Sequence, residues 1–363
     1  MSKMNEPIPR SRSQVSERVV ATREPTTAPD QVRPTPSVIA GVVLAAIAAA
    51  MVAGIAAAPA PVPGLPEPGP MVRLGLPAVR ALLDVAAATV VGLSLLPKLL
   101  GFDRPDLTEP IMRRARPWTV HAAFLWAACA LAAVVLQASE VLSPGEMPTL
   151  GQIGEYIDQV SAPKGLLISA GFALAAAGVG RLAVRFGESV PAELRIIVAL
   201  FGLFPLPVTG HAAQWYWHDL SMISMELHVG GSALWTGGLV ALLLLAAPNR
   251  GLLAEALPRF SRLATICLLV VTATGLINGL TQLALDAELP AGLVATPYGQ
   301  LVIAKTVCLL AVAVLGAKIR WWLLPRVIRQ ERTSLIVWGS AEVAVMGLAY
   351  GIAVVLSRAS TLI

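Results

Sequence analysis

The feature that most constrains this chain is a succession of apolar runs, each about twenty residues long. Short connections divide them, alternately rich and poor in Arg and Lys. About 20 apolar residues, wound as an α-helix, cross the hydrocarbon core of a bilayer, and helices can do so because they satisfy their own backbone. Composition agrees: 56% of residues are hydrophobic and 13% charged, with a mean hydropathy of +0.72, whereas soluble domains carry about 25% charge. The expected fold class is therefore all-α, a polytopic membrane helix bundle.

The runs predict nine spans. They cover Ser37 to Ala58, Gly75 to Leu96, Trp118 to Ser139, Gly165 to Val184 and Leu194 to Ala213. The rest are Asp219 to Ala247, Phe260 to Leu285, Gly299 to Ile319 and Leu335 to Ser357. The N-terminal tail and every second connection are basic, as in Arg113-Arg114-x-Arg116 and in Lys318, Arg320, Arg326 and Arg329. The alternate connections hold little beyond Arg73 and Lys164. The positive-inside rule then predicts a cytoplasmic N-terminus and an external C-terminus. The net charge of +5 follows from this topology and does not indicate a nucleic-acid partner.

The expected organisation is a polar tail over 1–36, four spans over 37–193, five over 194–357 and a short external tail over 358–363. The Pro-rich linker 59–70 predicts a peripheral first span. Ile153, Tyr156, Ile157 and Val160, at helical spacing in the longest external connection, predict a short surface helix.

Chemistry concentrates between the fifth and sixth spans. Three of the four histidines, His211, His218 and His228, lie there with Asp219, Met222, Met225 and Glu226. On a helix, His218, Met222 and Met225 share a narrow stripe, and His228 is offset from Met225 by less than a quarter turn. Imidazole and thioether together favour a soft metal, copper as Cu(I), over magnesium or calcium. The alternative reading is a packing face beside interfacial aromatics (Trp215, Tyr216, Trp217). Cys129, Cys267 and Cys308 are scattered and read as small apolar residues, and His121 reads as an interfacial histidine. Charge inside a span is costly and is usually paired or functional. Arg80 and Asp84 stand one turn apart and read as a pair. Lys305 is expected to snorkel or to meet a carboxylate. Glu342 has no basic partner near it on its own helix and is a candidate proton or cation relay.

Several segments resemble the CopD copper-resistance membrane family: Gly210-His211-Ala212, His228-x6-Trp235-Thr236-Gly237-Gly238-Leu239, Arg259-Phe260-Ser261-Arg262-Leu263, Thr274-Gly275-Leu276-Ile277-Asn278, and Thr296-Pro297-Tyr298-Gly299-Gln300-Leu301 with Lys305. Their order and spacing agree over roughly Ile196 to Ser357. The resemblance implies copper transport across the bacterial cytoplasmic membrane, or copper resistance, and points to His211, His228, Trp235 and Lys305. It also implies a separate external copper-binding partner of CopC type. The front of the chain resembles actinobacterial proteins that fuse this domain to a CtaG-like oxidase-assembly domain, which is not expected here because the chain ends after the ninth span. No GxxxxGK[ST] phosphate loop is present, so transport without ATP hydrolysis, and no enzyme activity, is the expectation. The alternatives are a b-type membrane cytochrome, with haem between His211 and His228, an accessory protein supplying copper to cytochrome oxidase, and a purely structural membrane partner.

Overall fold

The computed structural model describes residues 36–56, 68–142, 146–209, 218–286, 291–331 and 333–359, and every regular element among them is helical. In chain order these are α1 (Pro36–Ala56), α2 (Pro70–Leu100), α3 (Pro105–Leu142), α4 (Leu150–Gln159), α5 (Ser161–Phe186) and α6 (Ala192–Phe201). There follow α7 (His218–Ala241), α8 (Arg250–Asp286), α9 (Ala291–Ala295), α10 (Pro297–Lys318), α11 (Leu324–Ile328) and α12 (Leu335–Leu356). Seven of them, α2, α3, α5, α7, α8, α10 and α12, are long and apolar enough to cross a membrane; Val43–Ala56 of α1 is a shorter apolar stretch. The chain is an all-α, multi-pass membrane bundle.

The expected fifth span is not one helix. α6 stops at Phe201, and after a turn Leu206–Thr209 forms a 3₁₀ turn. Pro205 and Pro207 explain the break, because each lacks an N–H and disfavours helix in the residue before it. Gly202 fits where a side chain would collide with Trp126 and Phe172. Hydropathy alone is blind to this punctuation.

α2 is the central helix, packing against α1, α3, α6, α7, α8 and α12. Its crossing with α7 depends on glycine: a Cβ on Gly92 would run into the backbone of Gly237, and one on Gly237 into the carbonyl of Ala88. In lipid, helices associate through such close approaches, since burying apolar side chains gains little there. α1 lies against α12 and α2, setting Ala46 and Ala50 against Gly351 and leaving Leu44, Val52 and Ile55 outward. The expected surface helix is α4. A capping box starts it, with Thr149 and Gln152 exchanging bonds, and buried Tyr156 donates to Gln137 Oε1 at 3.4 Å. Burial pushes the Tyr156 phenol up.

The end of the bundle that carries the basic connections is pinned by charge. Arg116 forks onto Glu109 at 2.7 and 2.8 Å and reaches Glu188 at 3.0 Å, while Arg195 meets Glu188 at 2.9 Å. Lys98–Glu193 and Arg104–Glu255 pair nearby, and Arg259 donates to the Leu99 carbonyl at 3.0 Å. Trp118, Trp321 and Trp322 are exposed at this end, as expected of an interfacial aromatic belt.

Candidate functional site

The interior face of α7 is a stripe of Ser221, Ser224, His228, Gly231 and Trp235, all buried, at the 3–4–3–4 spacing that keeps residues on one side of a helix. Met222 and Met225 are half-buried on the flank of this stripe and not at its centre; Glu226 is half-buried and Ile223 and Leu227 are exposed. Met225 is the thioether closer in angle to His228. α7 begins at His218, so His218 and Asp219 occupy its first turn, but their side chains and all of His211 lie outside the described residues. His121 is exposed on α3. Cys129 and Cys267 are buried free thiols, and Cys308 is half-buried.

His228 is the centre of the described site and is only 8% exposed. α7 sets it against α8 at Thr274-Gly275. The Thr274 hydroxyl lies 2.6 Å from the Val270 carbonyl, to which it donates in the usual helical back-bond. The hydroxyl oxygen is then free to accept, and His228 Nδ1 stands 3.0 Å from it. The Val271 carbonyl is a further acceptor for the ring. A neutral imidazole has one N–H. With that proton on Nδ1, the lone pair belongs to Nε2, the arrangement by which an outer hydroxyl or carbonyl orients a metal-ligating histidine. Gly275 provides the room: a Cβ there would come within 3.2 Å of His228 Cε1. Among the described residues no three His, Cys, Asp or Glu side chains gather as a metal cluster.

Polar groups continue inward from His228. Lys305 on α10 is within electrostatic reach of both His228 and Asp84, and Asp84 has Arg80 and Lys305 as its cationic neighbours. The Arg80–Asp84 reading is thereby extended to a third charge on another helix. Tyr350 on α12 lies near Thr236 and Asp84. Two turns past His228 on α7, about 10 Å further along, Trp235 presents its indole N–H to the Glu342 carboxyl without closing a direct hydrogen bond. Glu342 is 3% exposed.

The resembling segments separate into two kinds. Gly237 makes the α2–α7 crossing, Gly238 receives the Phe260 ring, and Arg259 ties α8 to the end of α2. Thr296 caps α10, accepting from Gly299 N at 2.9 Å and donating to the Gly292 carbonyl at 2.6 Å. These are packing and capping roles. Thr274-Gly275, by contrast, supports His228. Sequence reading missed Thr274 as the partner of His228. The only signal for it was the Thr-Gly pair within the resembling segment, because the contact joins residues 46 apart.

Comparison with known proteins follows the same division. Residues 71–219 match the copper resistance protein D-like N-terminal domain, and residues 254–356 match the copper resistance protein D domain. The copper transport protein CutJ of Bacillus subtilis (strain 168) is 32% identical over 170 residues, which cover 45% of this chain and 29% of that protein. The chain thus matches less than a third of that relative's length. No solved structure matches. Two consecutive domain matches, with the Thr274-Gly275 support for His228 inside the second, place the chain in the copper resistance protein D family.

Proposed function

We propose that this chain carries copper, as Cu(I), inward across the bacterial cytoplasmic membrane without hydrolysing ATP and without acting as an enzyme. The family and the Bacillus relative support a membrane copper-handling or copper-resistance role. The observation that carries the finer reading is the Thr274 hydroxyl, which donates to the Val270 carbonyl and stands 3.0 Å from His228 Nδ1; with the ring proton on Nδ1, Nε2 is an electron-pair donor inside the bundle. Met225 and Met222 flank it with thioethers, which suit a soft, weakly hydrated cation. In the orientation expected from the basic connections, the His218 end of α7 faces outward. His211, His218 and Asp219 then receive copper, from a CopC-type protein, and His228 is the first ligand within the bundle, with Glu226 at its rim. Lys305 near His228 opposes a second cation, and Asp84 offsets one of the two positive charges, Arg80 and Lys305, beside it. An inside-negative potential favours cation entry by about 2.3 kcal/mol per charge per 100 mV.

The test is Cu(I) uptake into proteoliposomes holding the full chain. Wild type is expected to accumulate copper and His228→Ala to lose at least tenfold in rate. Equal rates would refute the assignment. A visible spectrum of the purified chain separates the haem reading, because a Soret band lost in His228→Ala would replace copper with haem at this residue.

A further inference from the structure

The end of the bundle opposite His218 holds a second arrangement that the copper ligands do not use. Glu342 is almost fully enclosed by α7, α10 and α12. Its Oε1 lies 3.5 Å from the point where Gly316 of α10 would carry a Cβ, so the glycine leaves the notch that the carboxyl fills. Two departures from α-helical winding frame it. α7 ends in a π-helical segment, Leu242–Ala246, and α10 in another, Ile319–Leu323. Both touch α12, and Leu243 of the first packs on Gly339, one turn before Glu342. Such segments are rare and recur at functional sites, where an extra residue lets a helix shift its register.

The groups around the carboxyl are few. α7 contributes Trp235, and α10 contributes Gly316 and, two residues on, Lys318, whose ammonium sits over the Trp338 ring at 3.5 Å to the centroid. α8 contributes the Cys267 thiol to the same packed cluster as Trp235 and Met346. Asp84, Arg80, Lys305 and Tyr350 form the separate group further out. Among the described residues, no ion pair reaches Glu342. An isolated carboxylate in this setting is far costlier than a neutral carboxyl group.

We propose that Glu342 is a proton-exchange site: it holds a proton while the bundle is closed around it, and it releases that proton to the basic end as a copper cation arrives from His228 along the α7 stripe. The O–H bond breaks, the proton leaves towards the basic end, and the carboxylate that remains neutralises the cation. When the cation moves on, the carboxylate takes up a proton from the outer side, past the Asp84, Lys305 and Tyr350 group, so that each turnover carries one proton inward with one copper. The pocket keeps zero net charge throughout, so neither ion crosses the apolar interior alone. This rests on the copper reading above, but only for the identity of the incoming cation.

The experiment uses full-length wild type, Glu342→Gln and Glu342→Asp in proteoliposomes with a trapped pH indicator and buffered Cu(I) outside. Wild type is expected to move about one proton per copper. Glu342→Gln, which keeps the shape but cannot lose a proton, is expected to bind copper within twofold of wild type, slow its transfer at least tenfold and abolish the coupled pH change. Glu342→Asp shortens the side chain but keeps the acid, and is expected to retain coupled transfer with an altered pH profile. A mere packing role predicts the opposite order, Gln tolerated better than Asp, and that result overturns the proposal. So does wild-type transfer by Glu342→Gln. Infrared spectroscopy of the copper-free protein supplies an arm independent of the cargo. A protonated-carboxyl C=O band at neutral pH, lost in Glu342→Gln, is expected, and its absence overturns the site. If wild type moves no copper but shows that band, the copper reading fails and the proton site stands.

Discussion

The helices α2, α3 and α7 and the helices α8 and α10 are equally apolar, yet they are packed in opposite ways. In their most hydrophobic windows 61, 56 and 72% of the residues of the first group are buried within the bundle, against 22 and 11% for α8 and α10. The first group meets through Ala and Gly at close distance. α8 leans on α7 and α10 on α12, and the two scarcely touch each other. Two polar contacts at the candidate site, Thr274 to His228 and Lys305 to Asp84, have one member on these loosely held helices, and Gly316 of α10 leaves the notch for Glu342. Tight crossings thus form a frame, and the chemistry sits where less tightly enclosed helices lean on it. Elements that move in function are drawn from the less stable parts of a fold.

Substitutions can break this contrast. The largest effect is expected from Gly237→Leu, because no rotamer avoids the α2 backbone; overpacking of this kind costs about 3 kcal/mol or more. Membrane yield and thermal melting would report it, and a near-wild-type melting curve would mean that the crossing is not the frame. Arg116→Ala comes next. It removes a buried fork onto Glu109 and Glu188, and with its partners partly exposed the loss should be about 2 kcal/mol. Thr274→Val leaves the fold intact but releases His228 Nδ1; loss of an orienting partner predicts roughly 10–100-fold weaker copper binding, measured by competition with a Cu(I) chelator. Unchanged affinity would uncouple α8 from the site. Leu269→Ala, on the outward face of α8, should shift stability by less than about 0.5 kcal/mol. A larger shift would show that this face has a partner other than lipid.

The smallest effect belongs to Glu331, beyond the spans. The Arg329 guanidinium, 2.6 Å away, holds its carboxyl below the ordinary range. Any stability from the pair is present above the unfolded-state value and fades as pH falls through the folded one. The pair is exposed, so Glu331→Gln should leave the melting temperature unchanged at neutral and at mildly acidic pH.

Much of the site was legible one helix at a time. The periodicity of α7 brought His228 forward, the family resemblance added Trp235, and the intramembrane charges singled out Lys305 and Glu342. What escaped were relations between helices. Asp84 read as the partner of Arg80 because both lie on α2, and Lys305 joins them only because α10 approaches from a distant part of the chain. The methionines read as the centre of the stripe because angle was counted from His218, whereas the neighbours of α7 place the interior face nearer Ser224 and His228. The fifth span was drawn straight through Pro205 and Pro207 because hydropathy averages over the residues that end a helix.

The sequence by itself determined membrane residence, the helical class and the position of most spans. These follow from local free energies: the transfer of each apolar run into lipid and the need of each backbone to bond with itself there. Tertiary structure alone decided which glycines let helices cross, which hydroxyl meets His228 Nδ1, and that Glu342 is enclosed between two π-helical ends. Those outcomes depend on contacts within a few ångströms between residues far apart in the chain, and no run of neighbouring residues encodes them.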